Sequence, residues 1–567
     1  MAKPAAPSND RFRLDDAHRI AVLVLLIVPT VLLILGSYHG LMQVLYRAGI
    51  ISSTGFLGLQ YYQGLTLHGV VNALVFTTFF EVAFGYVVVA YFLRQSFAAP
   101  VTWLAVTLML IGTLMAAFAM LTGTASVLYT FYPPLKASPL FYIGATLLVV
   151  GSWVPYFQWI PVYLGWRRAH PTRKTPLAVV GMLATFTVWF LATLPLAYEV
   201  IVQLIPWSLG WTATVNVVLA RTLFWFFGHP LVYFWLLPAY VMFYVMLPAV
   251  VGGKLYSDAA GRIAFMLFIV LSAPVGLHHQ FADPGISSGY KWLHGGLTFM
   301  VALPSFMTAF TVAASLEYAA RARGGTGLFG WWRKLPYLDP ERYLFAYFFA
   351  GLVLFFFGGI TGIINASVSM NDVVHNTSWI PAHFHTTVGG PVFLSFLGMT
   401  LFLLTQLTGK PLRLRRLNVL VPYLWTGGLF ICSFGLSVAG LLGEPRRTNL
   451  GLTYSNPQSP LFHAAWVPWS RLGALGGALM AVAMVCFFVV FFTTLFGRAE
   501  DTPYLELPEA DAYHDEDVAA VRNFTPWVVA AIILLVVAYA PPLYEVLSGP
   551  TQAVPGYRPS SPIVANP

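Results

Sequence analysis

Residues 61–93 read YYQGLTLHGVVNALVFTTFFEVAFGYVVVAYFL, a largely apolar run that contains one carboxylate, Glu81, and one histidine, His68. A helix of about 20 apolar residues is long enough to span a bilayer. The whole chain has the same character, since 58% of its 567 residues are hydrophobic and only 9% are charged. So few polar side chains cannot cover a water-facing globule of this size. The sequence therefore predicts an all-α integral membrane protein.

Apolar runs of this kind recur along the chain and predict a bundle of about thirteen transmembrane helices. Runs that are unusually long contain Pro or Gly, so we expect kinked or tilted helices rather than additional crossings. The transmembrane domain is expected to cover 20–547, between an amino-terminal segment, 1–19, and a carboxyl-terminal tail, 548–567. The predicted runs are 20–43, 61–93, 101–122, 138–164, 176–205, 213–250, 262–281, 292–319, 343–369, 379–408, 417–443, 467–497 and 523–547.

The basic residues predict an orientation for this bundle. With the amino terminus placed inside, 22 of the 30 lysines and arginines fall on the inner side. An excess of Lys and Arg marks the cytoplasmic side of a membrane protein, so we expect the amino terminus inside and the carboxyl terminus outside. The net charge of +9 then reflects topology and gives no reason to expect a nucleic-acid partner. The basic residues left outside are Arg47, Lys136, Arg221, Lys291, Arg446, Arg447, Arg471 and Arg558.

Six histidines lie within the predicted spans, and the predicted topology places all of them in the outer third of the bilayer. A neutral imidazole in hydrocarbon needs a partner, and six at one depth indicate metal ligation rather than packing. A single intramembrane histidine would more simply be a polar contact inside the bundle. The six are His68, His229, His278, His279, His383 and His385.

The spacing of these histidines divides them between sites. Residues two apart on a helix are separated by about 200°, so His383 and His385 should point to opposite sides. The neighbours His278 and His279 can both reach one metal on the flank of their helix, with His229 as a third ligand. Imidazoles without thiolates suit copper, iron or zinc. An iron porphyrin with two axial histidines suits the space between His68 and His385.

Three segments carry a family resemblance: WFFGHPLVY at 225–233, HHQFADPG at 278–285, and HNTSW at 375–379 followed by HFH at 383–385. They resemble subunit I of the haem-copper oxidases, and most closely the B-type (ba-type) cytochrome c oxidases of prokaryotes. The resemblance implies a low-spin haem held by His68 and His385, a high-spin haem held by His383, and one copper ion held by His229, His278 and His279.

The same resemblance implies an activity and partners. The chain would be the catalytic subunit of a respiratory terminal oxidase that reduces O2 to water, coupled to proton uptake and pumping across the cytoplasmic membrane of a prokaryotic cell. The low-spin haem would be b-type and the high-spin haem a-type. The two cysteines, Cys432 and Cys486, form no covalent-haem motif or paired copper site. Electrons must therefore arrive through another polypeptide. The resemblance implies cytochrome c as the donor and a subunit II that carries a dinuclear copper site. Membrane lipid and a small accessory helical subunit are further expected partners.

Tyr233 follows His229 by four residues, on the same helix face. In the family the matching tyrosine is covalently joined to the copper-ligating histidine and supplies an electron and a proton for O–O cleavage. Two hydroxyl series match the single proton channel of the B-type family, although a Ser/Thr stripe alone is also typical of helix–helix contact. The proton-path candidates are Tyr233, Tyr240, Tyr244, Ser305, Thr308 and Thr311.

Other charged residues receive less specific interpretations. Arg446 and Arg447 are candidates to pair with haem propionates, and Arg221 and Asp283 are further candidates beside them. Glu81 is either a protonated structural carboxyl or part of a proton route.

Two other functions stay open from the sequence. The first is a nitric oxide reductase of the same superfamily, with non-haem iron in place of copper. Tyr233 and the absence of glutamates beside His229 weigh against it. The second is a metal or cation transporter whose intramembrane histidines bind the transported ion.

Overall fold

The computed structural model describes residues 11–52, 60–449, 456–549 and 553–556. Most of the predicted amino-terminal segment and carboxyl-terminal tail, including Lys3 and Arg558, lies outside these ranges. Within them the protein is a bundle of long helices, as the sequence predicts. The helices are α1 Asp16–Arg47, α2 Tyr61–Leu93, α3 Ala99–Leu121, α4 Pro139–Ala169, α5 Leu177–Leu209, α6 Val217–Val250, α7 Asp258–Ser272, α8 Ser288–Ala322, α9 Pro340–Ala366, α10 Trp379–Thr408, α11 Arg415–Leu441, α12 Ala464–Leu495 and α13 Thr525–Ser548.

Twelve of these helices in the described ranges are long and apolar enough to cross a membrane. The exception is α7, which corresponds to the seventh predicted run and has only 15 residues. The chain leaves the helix before Pro274, which has no backbone N–H to continue it, and then forms a 3-10 turn at Leu277–Gln280. The predicted helical bundle is therefore confirmed, with twelve candidate spans in the described ranges against about thirteen predicted, while the exact count and the orientation of the bundle stay predictions.

The helices with candidate histidines form the centre of the bundle. The most apolar stretches of α2 and α6 are 94% buried inside the protein, and that of α10 is 78% buried, whereas those of α8 and α13 are 28% buried. Side chains on such peripheral helices remain available for lipid. The central helices therefore place His68, His229, His383 and His385 away from the rim of the bundle.

Helix pairs approach closely where glycines meet, as expected when packing rather than hydrophobicity holds membrane helices together. A Cβ at Gly112 would lie 2.5 Å from the carbonyl oxygen of Gly144, where α3 meets α4. A Cβ at Gly428 would lie 2.8 Å from the carbonyl oxygen of Gly476, where α11 meets α12. Any larger residue at these positions would push the helices apart.

Two small sheets join loops at the ends of the bundle. Strand β1, Thr214–Asn216, pairs antiparallel with β4, Ala553–Pro555. Strand β2, Leu255–Ser257, pairs parallel with β3, Ala512–His514. Four π-helical turns interrupt the most buried helices in the described ranges, at Val70–Phe76 in α2, Glu199–Leu204 in α5, Met242–Met246 in α6 and Val388–Val392 in α10. Such turns often occur beside functional sites, and two of them directly follow candidate histidines.

Candidate functional site

Three histidines converge to form a compact cluster. His229 lies at the joint between the α-helical segments Val217–Gly228 and Pro230–Val241 of α6, and His278 and His279 lie on the 3-10 turn. One ring nitrogen from each lies within 4.8 Å of the others. Nδ1 of His229 is 2.9 Å from Nε2 of His279. These three imidazoles could bind one metal ion and leave a coordination position open.

The turn that carries His278 and His279 is held close to α6. A Cβ at Gly276 would lie 2.4 Å from the carbonyl oxygen of Trp225, so only glycine allows this approach. The expectation that both histidines occupy a helix flank is corrected here, because α7 has already ended. The two imidazoles still converge, with ring centroids 4.3 Å apart.

Neighbouring side chains orient these imidazoles. Thr298 Oγ1 donates to the carbonyl oxygen of His294 over 2.7 Å and lies 3.0 Å from Nδ1 of His278. Since the hydroxyl proton is used, Nδ1 of His278 donates to Thr298, which leaves Nε2 of His278 with a lone pair for a metal. The indole of Trp225 stacks on the His279 ring at 3.8 Å and 5°.

Tyr233 contacts the cluster directly. Its hydroxyl oxygen lies 2.9 Å from Nε2 of His229, while the other ring nitrogen of His229 faces His279. The side chain of Tyr233 is buried. The arrangement places a phenol within one hydrogen bond of the imidazole whose opposite edge faces the candidate metal position.

A second pair of histidines lies across a cavity. The rings of His68 and His385 have centroids 5.8 Å apart and planes 13° apart. Nδ1 of His68 donates to the Gly36 carbonyl over 2.8 Å, and Nδ1 of His385 donates to the Pro381 carbonyl over 2.7 Å. Both rings are thereby held in the tautomer whose Nε2 can bind a metal.

This pair meets the requirements of the expected low-spin haem. With nitrogen–metal bonds of about 2 Å, two imidazoles on opposite sides of one metal have ring centroids about 6 Å apart. A cavity of about 280 Å³ is lined by both histidines. Glycine in the cavity wall leaves room for the imidazole, because a Cβ at Gly40 would lie 2.7 Å from Cε1 of His68.

Arg446 and Arg447 also line this cavity. The Arg446 guanidinium donates to Oδ1 of Asn376 over 3.0 Å, and the Arg447 guanidinium lies over the ring of Tyr129 at 5.6 Å. Burial, together with the positive charge of Arg447, lowers the pKa of Arg446 to about 9. An anionic group in the cavity would offset this cost, which fits the propionates expected there.

His383 points away from His385, as the helix spacing predicts. Its Nδ1 lies 2.8 Å from Oγ1 of Thr361. Thr361 donates its own proton to the Gly358 carbonyl over 2.9 Å, so Nδ1 of His383 is the donor and its Nε2 has a free lone pair. His385 lines the cavity beside His68, whereas His383 is not part of that lining, so the two rings lie on different sides of α10.

The predicted proton-path residues are only partly joined by direct contacts. Tyr244 donates to Oγ1 of Thr308 over 2.7 Å, and both side chains are fully buried. Ser305 donates to the Val301 carbonyl over 3.0 Å. The buried hydroxyl of Tyr240 has no hydrogen-bond partner among the described residues. Ordered water would be needed to join Tyr233, Tyr240 and Tyr244 into one route.

The series extends past Thr311 to a hydroxyl that sequence reasoning missed. Ser315 donates to the Thr311 carbonyl over 2.7 Å and accepts from the Tyr256 backbone N–H over 2.8 Å. Its i, i+4 spacing from Thr311 was the available signal.

The remaining charged candidates have distinct surroundings. Arg221 pairs with Asp283 at 2.8 Å, and the Arg221 guanidinium lies over Tyr132 at 4.7 Å. Glu81 is fully buried, and within the described part of the chain neither of its carboxyl oxygens has a hydrogen-bond partner. Glu199, which the sequence reading passed over, is in the same situation.

Comparison with known proteins shows the family of this chain. The family model described as cytochrome c and quinol oxidase polypeptide I matches residues 20–479. Cytochrome c oxidase subunit 1 of Thermus thermophilus is 43% identical over 98% of this chain and 100% of that protein. Heme-copper oxidase subunit I+III of Aeropyrum pernix is 27% identical over 86% of this chain and 58% of that protein.

A solved structure gives the same result. A chain from a cryo-EM structure of a heme-copper terminal oxidase dimer is 51% identical and superposes with a TM-score of 0.94, over 97% of this chain and 96% of that chain. At this identity and coverage the resemblance extends beyond the fold to the sequence of the chain as a whole. The chain therefore belongs to the cytochrome c and quinol oxidase polypeptide I family, the subunit I family of the haem-copper oxidases.

Proposed function

We propose that the protein reduces O2 to water as the catalytic subunit of a cytochrome c oxidase, with electrons from cytochrome c. The observation that carries this proposal is the division of the histidines. His68 and His385 face each other across a cavity, with ring centroids 5.8 Å apart, and three other imidazoles converge within 4.8 Å beside a tyrosine. Family membership supports the same assignment.

In this proposal His68 and His385 hold a low-spin haem, b-type by resemblance, and His383 holds a high-spin haem, a-type by resemblance. His229, His278 and His279 hold one copper ion. When bound, these groups supply the electrons and the coordination positions for O2 reduction. The protein fixes the imidazole orientations through the Thr298 and Thr361 hydroxyls and through backbone carbonyls.

Tyr233 is the proposed source of a proton and an electron at the reaction centre. Its hydroxyl lies 2.9 Å from Nε2 of His229, within reach for general acid catalysis. The position also suits the covalent His–Tyr link of the family. Arg446 and Arg447 would bind the low-spin haem propionates from the cavity wall. The Arg221–Asp283 pair is the proposed polar contact beside the second haem.

Protons consumed in the reaction would come from the inner side along Thr311, Thr308, Ser305 and the tyrosines of α6. The Tyr244–Thr308 hydrogen bond of 2.7 Å supports this route, and Ser315 extends it toward β2. Uptake from one side makes the turnover electrogenic, and coupling to proton pumping is part of the proposal.

The proposed setting is the cytoplasmic membrane of a prokaryotic cell, with 20–547 as the transmembrane domain, the amino terminus inside and the carboxyl terminus outside. The expected partners are a subunit II with a dinuclear copper site and a small accessory helical subunit.

A reduced-minus-oxidised optical spectrum with iron and copper quantitation of the purified protein tests the proposal. We expect two haems and one copper per chain, and a carbon monoxide shift in one haem only. Iron without copper would favour the nitric oxide reductase. A colourless protein would favour the transporter and refute the proposal.

A further inference from the structure

A buried ion pair lies behind the cavity of His68 and His385. Arg47, the last residue of α1, lies 3.3 Å from Oε1 of Glu444, which follows α11. The side chain of Glu444 is 2% exposed and that of Arg47 is 13% exposed. Sequence reasoning assigned neither residue, since Arg47 served only to predict the orientation. A buried ion pair seldom persists for stability alone, because desolvation offsets its attraction.

Glu444 is held as a carboxylate by several donors. Ser378 donates to Oε2 over 2.6 Å and Ser470 donates to Oε1 over 2.7 Å. Arg47 also donates to the Pro445 carbonyl over 2.8 Å. Ser378 directly precedes α10, the helix that carries His385, so these contacts tie α1, α11 and α12 to the start of the histidine helix.

The charges around the cavity do not balance without a ligand. The charged side chains that line it in the described part of the chain are Arg47, Arg446 and Arg447. Glu444 is not part of the lining, and it forms its salt bridge with Arg47. Three guanidiniums and one carboxylate leave two positive charges. Two is also the number of propionates on a haem.

We infer that Glu444 is a positioning residue that holds Arg47 back from the cofactor, so that Arg446 and Arg447 alone neutralise the two propionates. This inference rests on the proposed function. Its consequence is electrostatic: the pair keeps one positive charge from acting on the low-spin haem. An uncompensated positive charge beside a haem favours the reduced iron, which has one positive charge fewer.

The test is a spectroelectrochemical titration of the low-spin haem in the purified oxidase. Glu444→Gln removes the carboxylate and keeps its shape. We expect the reduced-to-oxidised ratio at a fixed potential to rise by on the order of tenfold, as expected for one buried charge. In the double variant Arg47→Gln with Glu444→Gln, both charges are gone, and the ratio should return to near the wild-type value.

Ser470→Ala is the matched control, because it removes a hydrogen bond to Glu444 without changing any charge. It should leave the ratio unchanged. Glu444→Gln with bound haem and an unmoved potential would overturn the inference. A double variant whose reduced-to-oxidised ratio is shifted at least as far as that of Glu444→Gln alone would also overturn the inference. A purely structural role predicts no recovery of the ratio when the second charge is removed.

If Glu444→Gln fails to assemble, Glu444→Asp provides the decision. It keeps the charge on a shorter side chain, so we expect it to retain the haem with a near wild-type potential. Equal loss of haem in Glu444→Asp would show that side-chain length rather than charge matters, which contradicts the inference. A failure of the proposed function is separate, because then the unmodified protein itself would show no low-spin haem spectrum.

Discussion

The three-histidine cluster and the two-histidine cavity solve different binding problems within one bundle. At the cluster, one ring nitrogen from each of His229, His278 and His279 lies within 4.8 Å of the others. At the cavity, which has a volume of about 280 Å³, the rings of His68 and His385 have centroids 5.8 Å apart, and each ring donates to a backbone carbonyl. A single ion needs convergent side chains, whereas a planar macrocycle needs an opening kept clear by glycine.

The comparison also separates what holds each region in place. The cluster depends on side chains: Thr298 orients His278 and Trp225 stacks on His279. The cavity depends on backbone carbonyls, which no substitution of a neighbouring side chain can remove. We therefore expect the orientation of the imidazoles in the cluster to respond to changes in surrounding side chains, and the orientation of those in the cavity to be less sensitive to such changes.

The largest effect should come from His385→Ala. Without its imidazole the cavity keeps one axial ligand, so the low-spin signal should disappear and turnover with it, while the high-spin signal persists. Optical spectra of the reduced protein with and without carbon monoxide would measure this. His170→Ala is the control, because His170 directly follows α4 and stacks on Trp166, and it lines neither the cavity nor the cluster. Selective loss of the high-spin signal would mean that the roles of His383 and His385 are exchanged.

On the cluster side, Tyr233→Phe should keep both haems and lose oxygen reduction. The phenol oxygen 2.9 Å from His229 is the proposed proton donor, and loss of a general acid costs about 10²–10⁴ in rate. Oxygen consumption, measured beside the haem spectrum, tests this. Tyr156→Phe is a matched control, since Tyr156 bonds Thr187 in the α4–α5 contact. Normal turnover in Tyr233→Phe would refute the role of the tyrosine.

Much of this contrast could be predicted from the sequence. The two-residue spacing of His383 and His385 predicts opposite directions on α10, and the structure has them bonded to Thr361 on α9 and to the Pro381 carbonyl. The four-residue spacing of His229 and Tyr233 likewise predicts their contact. These predictions succeed because they need only the geometry of one helix.

Features that depend on two distant segments were missed. The sequence predicts a helix that continues past Ser272, where α7 in fact ends. No pattern in the neighbouring sequence indicates the close approach of Gly276 to the Trp225 carbonyl. The Arg47–Glu444 pair joins the end of α1 to the loop after α11, and no spacing rule connects them. Tertiary partners of this kind follow from packing, which hydropathy and periodicity do not encode.

A smaller effect is expected from Thr298→Val, which tests whether the cluster depends on its neighbours. Valine keeps the shape of threonine but cannot accept from Nδ1 of His278. Loss of such an orienting contact typically costs about 10–100-fold in metal affinity. Copper retention after dialysis against a graded chelator would measure it, with Thr193→Val, whose hydroxyl bonds the Trp189 carbonyl, as control. Equal copper retention in the two variants would show that metal binding by the cluster does not depend on the Thr298 hydroxyl.

The smallest effect should be that of Thr308→Val, because it changes neither the cluster nor the cavity. The substitution removes the hydroxyl that accepts from Tyr244 over 2.7 Å, so one step of proposed proton uptake loses its acceptor. Water can replace part of that function. We therefore expect turnover to fall to roughly a tenth to a third of the wild-type rate, with both haem spectra unchanged.

Thr187→Val is the control for this last substitution, since Thr187 is a buried threonine that donates to the Leu183 carbonyl and lies outside the route. Proton uptake into vesicles that contain the oxidase, followed with a pH-sensitive dye, separates slow uptake from slow chemistry. If Thr308→Val and Thr187→Val behave alike, the hydroxyls of α8 serve helix packing. A slowed uptake in Thr308→Val alone would instead add a third region to the comparison, one that binds no cofactor and functions through the spacing of its hydroxyls.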